Sequence, residues 1–294
     1  MLVAARVQKK RRALEVRYLP CLWAFRPLPE KSMDLQLTNK HVLVTGASRG
    51  IGLACARGFL AEGARVSLVG RVQAHLDAAL AELGASDQRA QGFRADLREA
   101  QAALSMLDAV QRAQGPIDIL VNSAGAAARV PFDELQPQLW ADAMQAKFMT
   151  YVNVMDPLIK RMAERGSGVI VNIIGLGGKL AMPTHLAGGS ANAALMLATA
   201  GLAAAYGKRG VRVVGVNPGR TLTERMSEGI AVEARQRGLS EQEVLHDTES
   251  RLPLGRLAQP QEVADVVVFL ASSRAAYVSG TTLSMDGALV PTVL

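Results

Sequence analysis

The residues of this chain with the plainest chemical meaning are glycines. Thr45-Gly46-Ala47-Ser48-Arg49-Gly50-Ile51-Gly52 follows a short apolar run, His41–Thr45, and opens a stretch of helical period. Glycines at this spacing permit a tight turn and a close backbone approach, while the exposed N–H groups of a helix start carry partial positive charge. The chemistry that fits is diphosphate binding, with Gly46, Ser48, Arg49, Gly50, Ile51 and Gly52 as candidate contacts. A second apolar run, Arg65–Val69, ends at Gly70-Arg71. A carboxylate at this point would accept a hydrogen bond from a ribose 2′-hydroxyl. None is present there; Arg71, with Arg49 in the turn, instead offers guanidinium groups that suit a 2′-phosphate. The pattern predicts a dinucleotide ligand, NADP(H) in preference to NAD(H).

The elements that must position these residues alternate regularly. Short apolar runs at 41–45, 65–69, 117–121, 168–174, 211–216 and 281–285 read as buried strands. Alanine-rich stretches of helical period lie between them, at 50–62, 72–83, 99–114, 133–165, 188–207 and 260–272. This alternation predicts an α/β fold, a doubly wound parallel sheet with helices on both faces. Neither an internal repeat nor a second domain is visible. Residues 221–258 are charged and of mixed propensity, and read as an irregular insertion. Ligands in such sheets bind beyond the carboxyl ends of the strands, so this stretch is the candidate substrate lid.

The chain has 294 residues, enough to bury a full core, and 49% of them are hydrophobic. No apolar run reaches the roughly 18–20 residues of a membrane span. Two cysteines, Cys21 and Cys55, make no disulfide framework, and a cytoplasmic location is expected. No metal site is expected. The formal charge is +7, but residues 1–32 hold eight Lys or Arg and two acids, a net +6 of that total. The basic character therefore belongs to a separable N-terminal extension, and nucleic acid is not an expected partner. Residues 1–32 read as a disordered extension or a misassigned start ahead of Met33, with a basic targeting or membrane-surface arm as the alternative; residues 33–294 read as the domain.

Several motifs in order resemble the short-chain dehydrogenase/reductase family, over nearly all of 33–294. The turn Thr45–Gly52 is similar to the family's TGxxxGxG. Asp96-Leu97 resembles its adenine-contacting pair, and Asn122-Ser123-Ala124-Gly125 its NNAG segment. Asn217-Pro218-Gly219, with Thr221 and Thr223, resembles the segment that holds the nicotinamide amide. Pro253–Arg256 and Asp286-Gly287 resemble the closing motifs. The resemblance implies a single Rossmann-type domain and a homo-oligomer, a dimer or tetramer. It implies cofactor contacts from Asp96, Leu97, Asn122, Ala124, Gly125, Pro218, Gly219, Thr221 and Thr223.

The family's chemistry uses Asn, Ser, Tyr and Lys, with Tyr and Lys at i and i+4. Aligned by their flanks, those positions hold Lys147, Gly175, Gly188 and Asn192. None of the four tyrosines has a lysine four residues later. Lys147 and Asn192 are the usual amine and amide with their helices exchanged, which predicts an amine–amide pair. His185, three residues before Gly188, is the candidate proton donor, and a desolvated Lys147 is another. The reading is an oxidoreductase acting on a small or medium apolar carbonyl or alcohol, with a non-standard active site. The alternative is a catalytically silent dinucleotide-binding protein with a regulatory or structural role.

Overall fold

The computed structural model describes residues 33–84, 89–125 and 127–291. The basic extension 1–32 lies outside the described residues. The body, Leu35–Leu294, is a unit separate from Met1–Asp34.

Seven parallel strands form one sheet in the order β3-β2-β1-β4-β5-β6-β7. They are β1 (His41–Thr45), β2 (Arg65–Gly70), β3 (Ala90–Arg94), β4 (Ile119–Asn122), β5 (Gly168–Ile173), β6 (Val211–Pro218) and β7 (Thr282–Met285). Successive side chains on a strand point to opposite faces. Val42, Val44, Val121, Val171 and Val214 therefore enter one core, while Leu43, Leu120, Ile170 and Val213 enter the other. Helices cover both faces. The first core is closed by α1 (Gly50–Ala61), α2 (Gln73–Glu82) and α9 (Pro260–Ala271), with Phe59 fully buried. The second is closed by α3 (Ala100–Gln114), α5 (Thr150–Arg165) and α6 (Leu186–Tyr206). Burial on both faces is why the central strands read as unbroken apolar runs.

Three features depart from the sequence expectation. β3 was not predicted, because Ala90-Gln91-Gly92-Phe93-Arg94 is an edge strand in which Ala90 alone is classed as buried. The predicted helix 133–165 is composite: α4 (Pro137–Ala143) passes through a wide π-helical turn, Met144–Met149, before α5 begins. Such turns concentrate at functional positions. The stretch 221–258 is not irregular; it holds α7 (Glu224–Arg237) and α8 (Glu241–Ser250). Thr223 caps α7, Gly238 ends it at φ +66°, and Ser240 and Glu243 form a capping box on α8. The buried apolar seam of this pair is Ile230, Ala234 and Val244, so its sequence looks polar.

The segment Leu186–Arg209 is apolar and long enough, by composition and length alone, to cross a membrane. In the fold one face of it is buried, through Ala191, Leu195, Thr199 and Ala203, while the opposite face, with Leu197, is exposed.

Candidate active site

The phosphate end is built from backbone. Gly46 adopts φ +65°, and a Cβ there would lie 2.8 Å from the Ala124 Cα. A Cβ on Gly52 would meet the Gly46 carbonyl oxygen at 2.2 Å. Gly50 adopts φ +59° and lies against the Thr223 side chain. At Gly46 and Gly52 only glycine fits the approach, and at Gly50 the positive φ favours glycine. α1 starts at Gly50 with no side-chain cap from Arg49, which leaves its first N–H groups, those of Gly50, Ile51 and Gly52, for an anion. Thr45 Oγ1 accepts from the Ser123 and Ala124 N–H groups at 3.1 and 3.2 Å, fastening the turn after β4 to the turn after β1. Ser48 faces Gly70 at the end of β2. This cradle fits a diphosphate.

At the carboxyl ends of β2 and β3 three guanidinium-bearing residues assemble. Arg71 follows β2 and is exposed. Arg94 stands in register beside Gly70. Arg98 grips the Asp96 carboxylate through Nε and Nη2 at 2.5–3.1 Å. Arg98 first, and the more distant charge of Arg71, hold the Asp96 carboxyl below its usual range. Leu97 is buried, and its carbonyl accepts from Asn153 Nδ2 at 2.9 Å. Arg49 has other partners: its Nη1 lies 3.2 Å from Glu224 and 3.8 Å from Glu228, both on α7. Arg94 and Arg98 were not among the candidates read from the sequence.

Beneath the site a buried polar chain crosses the sheet. Thr45 Oγ1 donates to Asn122 Oδ1 at 3.5 Å, and Asn122 Nδ2 to Asn172 Oδ1 at 3.0 Å. Asn172 Nδ2 donates to Thr199 Oγ1 at 3.0 Å. All four residues are fully buried. Asn122 thus spends its amide on bracing the strands. On the far side, Gly219 packs on the backbone of Asp286, which follows β7, and Pro218 ends β6. Thr221 is buried and bridges Ala258. The Asn217 Oδ1 is buried without a hydrogen-bond partner.

The chemical end centres on the π turn. Gly125, at φ +94°, lies so close to it that a Cβ would meet the Ala146 carbonyl oxygen at 2.3 Å. Lys147 is buried, and its Nζ donates to the Tyr151 hydroxyl at 2.8 Å and the Ile173 carbonyl at 3.1 Å. The Tyr151 hydroxyl donates to the same carbonyl. Burial, with a contribution from Arg225, brings the Lys147 amine down to about 7. Burial raises the Tyr151 phenol. No hydrogen bond joins Lys147 to Asn192; the expected amine–amide pair is replaced by a Lys147–Tyr151 pair. The Asn192 Nδ2 instead faces Gly175 and Gly177, 3.4 and 3.3 Å from where their Cβ atoms would stand.

His185 sits just before α6 with its ring in the space a side chain at 188 would enter. A Cβ on Gly188 would lie 2.2 Å from His185 Cε1. The His185 Nδ1 is buried without a partner. Burial, then Arg129 and Lys147, lower its pKa below the usual 6.5. Tyr151 is the residue that sequence reading missed here. The signal was present: a lysine four residues before a tyrosine, the reverse of the order sought.

Residues 40–232 match the family model described as short chain dehydrogenase. The chain belongs to the short chain dehydrogenase family. Within that family it is 33% identical over 253 residues to the gluconate 5-dehydrogenase of Gluconobacter oxydans, covering 86% of this chain and 95% of that one. It is 35% identical over 257 residues to the D-threitol dehydrogenase of Mycolicibacterium smegmatis, covering 86% and 94%. The L-sorbose reductase of Gluconobacter frateurii, solved with NADPH and L-sorbose, superposes with a TM-score of 0.84 at 29% identity, over 89% of this chain and all of that one.

A cavity of about 260 Å³ opens beside His185. Its walls are mainly apolar, from Val130, Leu135, Leu139, Ala143 and Ala146, with Asp142 as the one carboxylate on its lining. The size suits a small molecule.

Proposed function

We propose that the chain is an NADP(H)-dependent oxidoreductase acting on a small or medium carbonyl or alcohol with an apolar body. The observation that carries this reading is the His185 ring. It fills the space left by Gly188, keeps Nδ1 buried and unpartnered, and forms part of the cavity wall. Its edge on the cavity and the lowering of its pKa by burial place the ring to exchange a proton with a molecule held there. The glycine cradle supports a dinucleotide, and Arg71, Arg94 and Arg98 support a 2′-phosphate. The NADPH of the sorbose reductase points the same way. The cofactor, when bound, supplies or accepts a hydride at the substrate carbon.

The active site is read as non-standard. Gly175 and Gly188 stand where the family's Ser and Tyr are usual, and Lys147 and Asn192 where Asn and Lys are usual. His185, directly or through a water, carries the proton to or from the substrate oxygen. Lys147, with an amine near neutrality, exchanges protons within reach of the same site. Asn192 and the space at Gly175 and Gly177 shape the pocket. Helices α7 and α8 serve as the lid. The protein works as a homo-oligomer, dimer or tetramer, in the cytoplasm.

The test pairs an NADPH fluorescence titration with a panel of carbonyl substrates. His185→Ala is expected to keep NADPH affinity and to lower turnover about 100-fold, the scale of a lost general acid. A second reading, a silent dinucleotide-binding protein, draws on one observation: Lys147 directs two of its hydrogen bonds into the protein, to Tyr151 and Ile173. NADPH binding with no turnover of any carbonyl or alcohol selects that reading.

A further inference from the structure

Backbone lies on backbone where the turn Leu176–Gly178, after β5, meets the start of α6. A Cβ on Gly178 would stand 2.9 Å from the Ala193 amide nitrogen, and one on Gly189 would stand 2.7 Å from the Gly177 carbonyl oxygen. A side chain at either position would hold the two elements apart. The close approach sets Asn192, in the second turn of α6, against the glycines after β5. Its Nδ2 lies 3.3 Å from the point where a Gly177 Cβ would stand, and the His185 Nε2 lies 3.3 Å from the same point. No more than twice that distance separates the two nitrogens, so both border one notch.

The notch is open, and its polar edges are unspent. Apart from the chain neighbours of Gly175, the Asn192 Nδ2 at 3.4 Å is the one described heavy atom within 4 Å of where a Gly175 Cβ would stand. Asn192 is buried, and its side-chain amide makes no hydrogen bond among the described residues. Of the two His185 nitrogens, Nδ1 is the enclosed one, which leaves Nε2 to meet a ligand. The same ring lines the cavity, so cavity and notch share His185 as a wall. An amide donor beside a proton-exchanging imidazole stabilises charge on an oxygen while that oxygen gains or loses a proton.

We propose that Asn192 is a catalytic residue, whose Nδ2–H donates to the substrate oxygen while the His185 Nε2 exchanges a proton with that oxygen. This rests on the oxidoreductase reading above and adds the group that holds the oxygen. In the oxidising direction the hydroxyl proton of a substrate alcohol passes to the Nε2 lone pair, and the O–H electron pair becomes the second carbon–oxygen bond. The carbon gives up its hydrogen, with the bonding pair, to NADP⁺. The Asn192 amide keeps both its protons and steadies the negative charge that gathers on the oxygen during the step. Burial favours the neutral imidazole that accepts the proton.

The experiment uses the full-length protein and three readouts. The first needs neither cofactor nor substrate: the His185 titration is followed by NMR of histidine-¹³C-labelled protein, assigned with His185→Gln. A carboxylate at 192 would border the same notch as Nε2, so Asn192→Asp should raise the His185 pKa by about one unit or more, while Asn192→Ala leaves it near its wild-type value. The second is oxidation of propan-2-ol, cyclohexanol and 1-phenylethanol, where Asn192→Ala should lower kcat about 100-fold, the scale of a lost oxyanion donor, with NADPH affinity retained. Asn192→Ser, which keeps a donor, should recover part of that loss. The third is the carbonyl resonance of ¹³C-cyclohexanone on the NADP⁺-loaded protein, which wild type should move downfield and Asn192→Ala should not. A His185 pKa unmoved by Asn192→Asp overturns the shared notch. Turnover by Asn192→Ala at the wild-type rate overturns the catalytic role and leaves the oxidoreductase reading standing. Loss of NADPH affinity in Asn192→Ala at unchanged kcat assigns Asn192 to the dinucleotide and overturns the proposal. An Asn192-dependent carbonyl shift with no turnover of any alcohol upholds the oxygen site and overturns the oxidoreductase reading.

Discussion

Replacing Lys147 by methionine should change how stability depends on pH more than it changes the fold. Burial moves the Lys147 amine from 10.5 to about 7. At about 1.4 kcal/mol per unit, holding the charged form in the folded chain costs on the order of 5 kcal/mol relative to the unfolded one. The sign follows from proton counting. Between about pH 7 and 10.5 the unfolded chain carries the proton and the folded chain does not. Stability therefore rises with pH through that window, at up to about 1.4 kcal/mol per unit, and is flat on either side. Methionine has similar length and no amine. Tyr151 still donates to the Ile173 carbonyl in the variant, so the substitution strands no donor. Tyr151 itself does not titrate in the window, because burial raises its phenol. Urea unfolding at pH 7.5 and 9.5 should show the wild type gaining about 2 kcal/mol more than Lys147→Met over that span. Parallel pH dependence in the two proteins would refute the claim that Lys147 is buried with a depressed pKa.

Tyr151→Phe removes an acceptor from the ammonium, so the half-point for acetylation of Lys147, read by mass spectrometry against pH, should move down by about half a unit to one unit. An unmoved half-point would exclude Tyr151 as a positioning residue. Gly188→Ala places a Cβ on His185 Cε1, and should cut turnover at least tenfold while NADPH affinity is retained. Gly52→Ala places one on the Gly46 carbonyl oxygen, and should instead weaken NADPH binding tenfold or more by titration. Arg98→Ala should lower NADPH affinity more than NADH affinity; equal losses would remove Arg98 from the 2′-phosphate site. At the opposite end of the sheet, burial lowers the pKa of His41, whose ring bonds Ser67 and the Gly115 carbonyl. The unfolded chain takes a proton there below about pH 6.5 that the folded chain refuses, so urea midpoints should fall as pH drops from 7 to 5.

What could be read without coordinates divides along physical lines. Strands buried on both faces announce themselves, so His41–Thr45 and Gly168–Ile173 were legible, while edge strand Ala90–Arg94 was not. Glycine positions were legible because backbone contact admits no other residue. The helices at 224–250 were hidden by their few buried residues, although Ser240, Glu243 and Gly238 marked their ends. At the chemical end, alignment located Lys147 but not its partner Tyr151. Partner choice depends on which side chains share a helix face, and Lys147 meets Tyr151 across a turn whose width no propensity predicts. Arg49 shows the same limit: its type suits a phosphate, but its neighbours in the fold are Glu224 and Glu228.

The wide turn at Met144–Met149 also sets the aim of everything around it. One residue in an α-helix advances the face by about 100°. The extra residue in this turn is what lets Leu139 and Ala143 wall the cavity while Lys147, further along the same rod, points beneath Ile173. A deletion of one residue here would leave the rod almost as long and equally helical, yet would rotate the cavity wall a quarter-turn away from the amine. In this protein the spacing between wall and amine is a phase rather than a distance, and adding or removing one residue in that turn resets it.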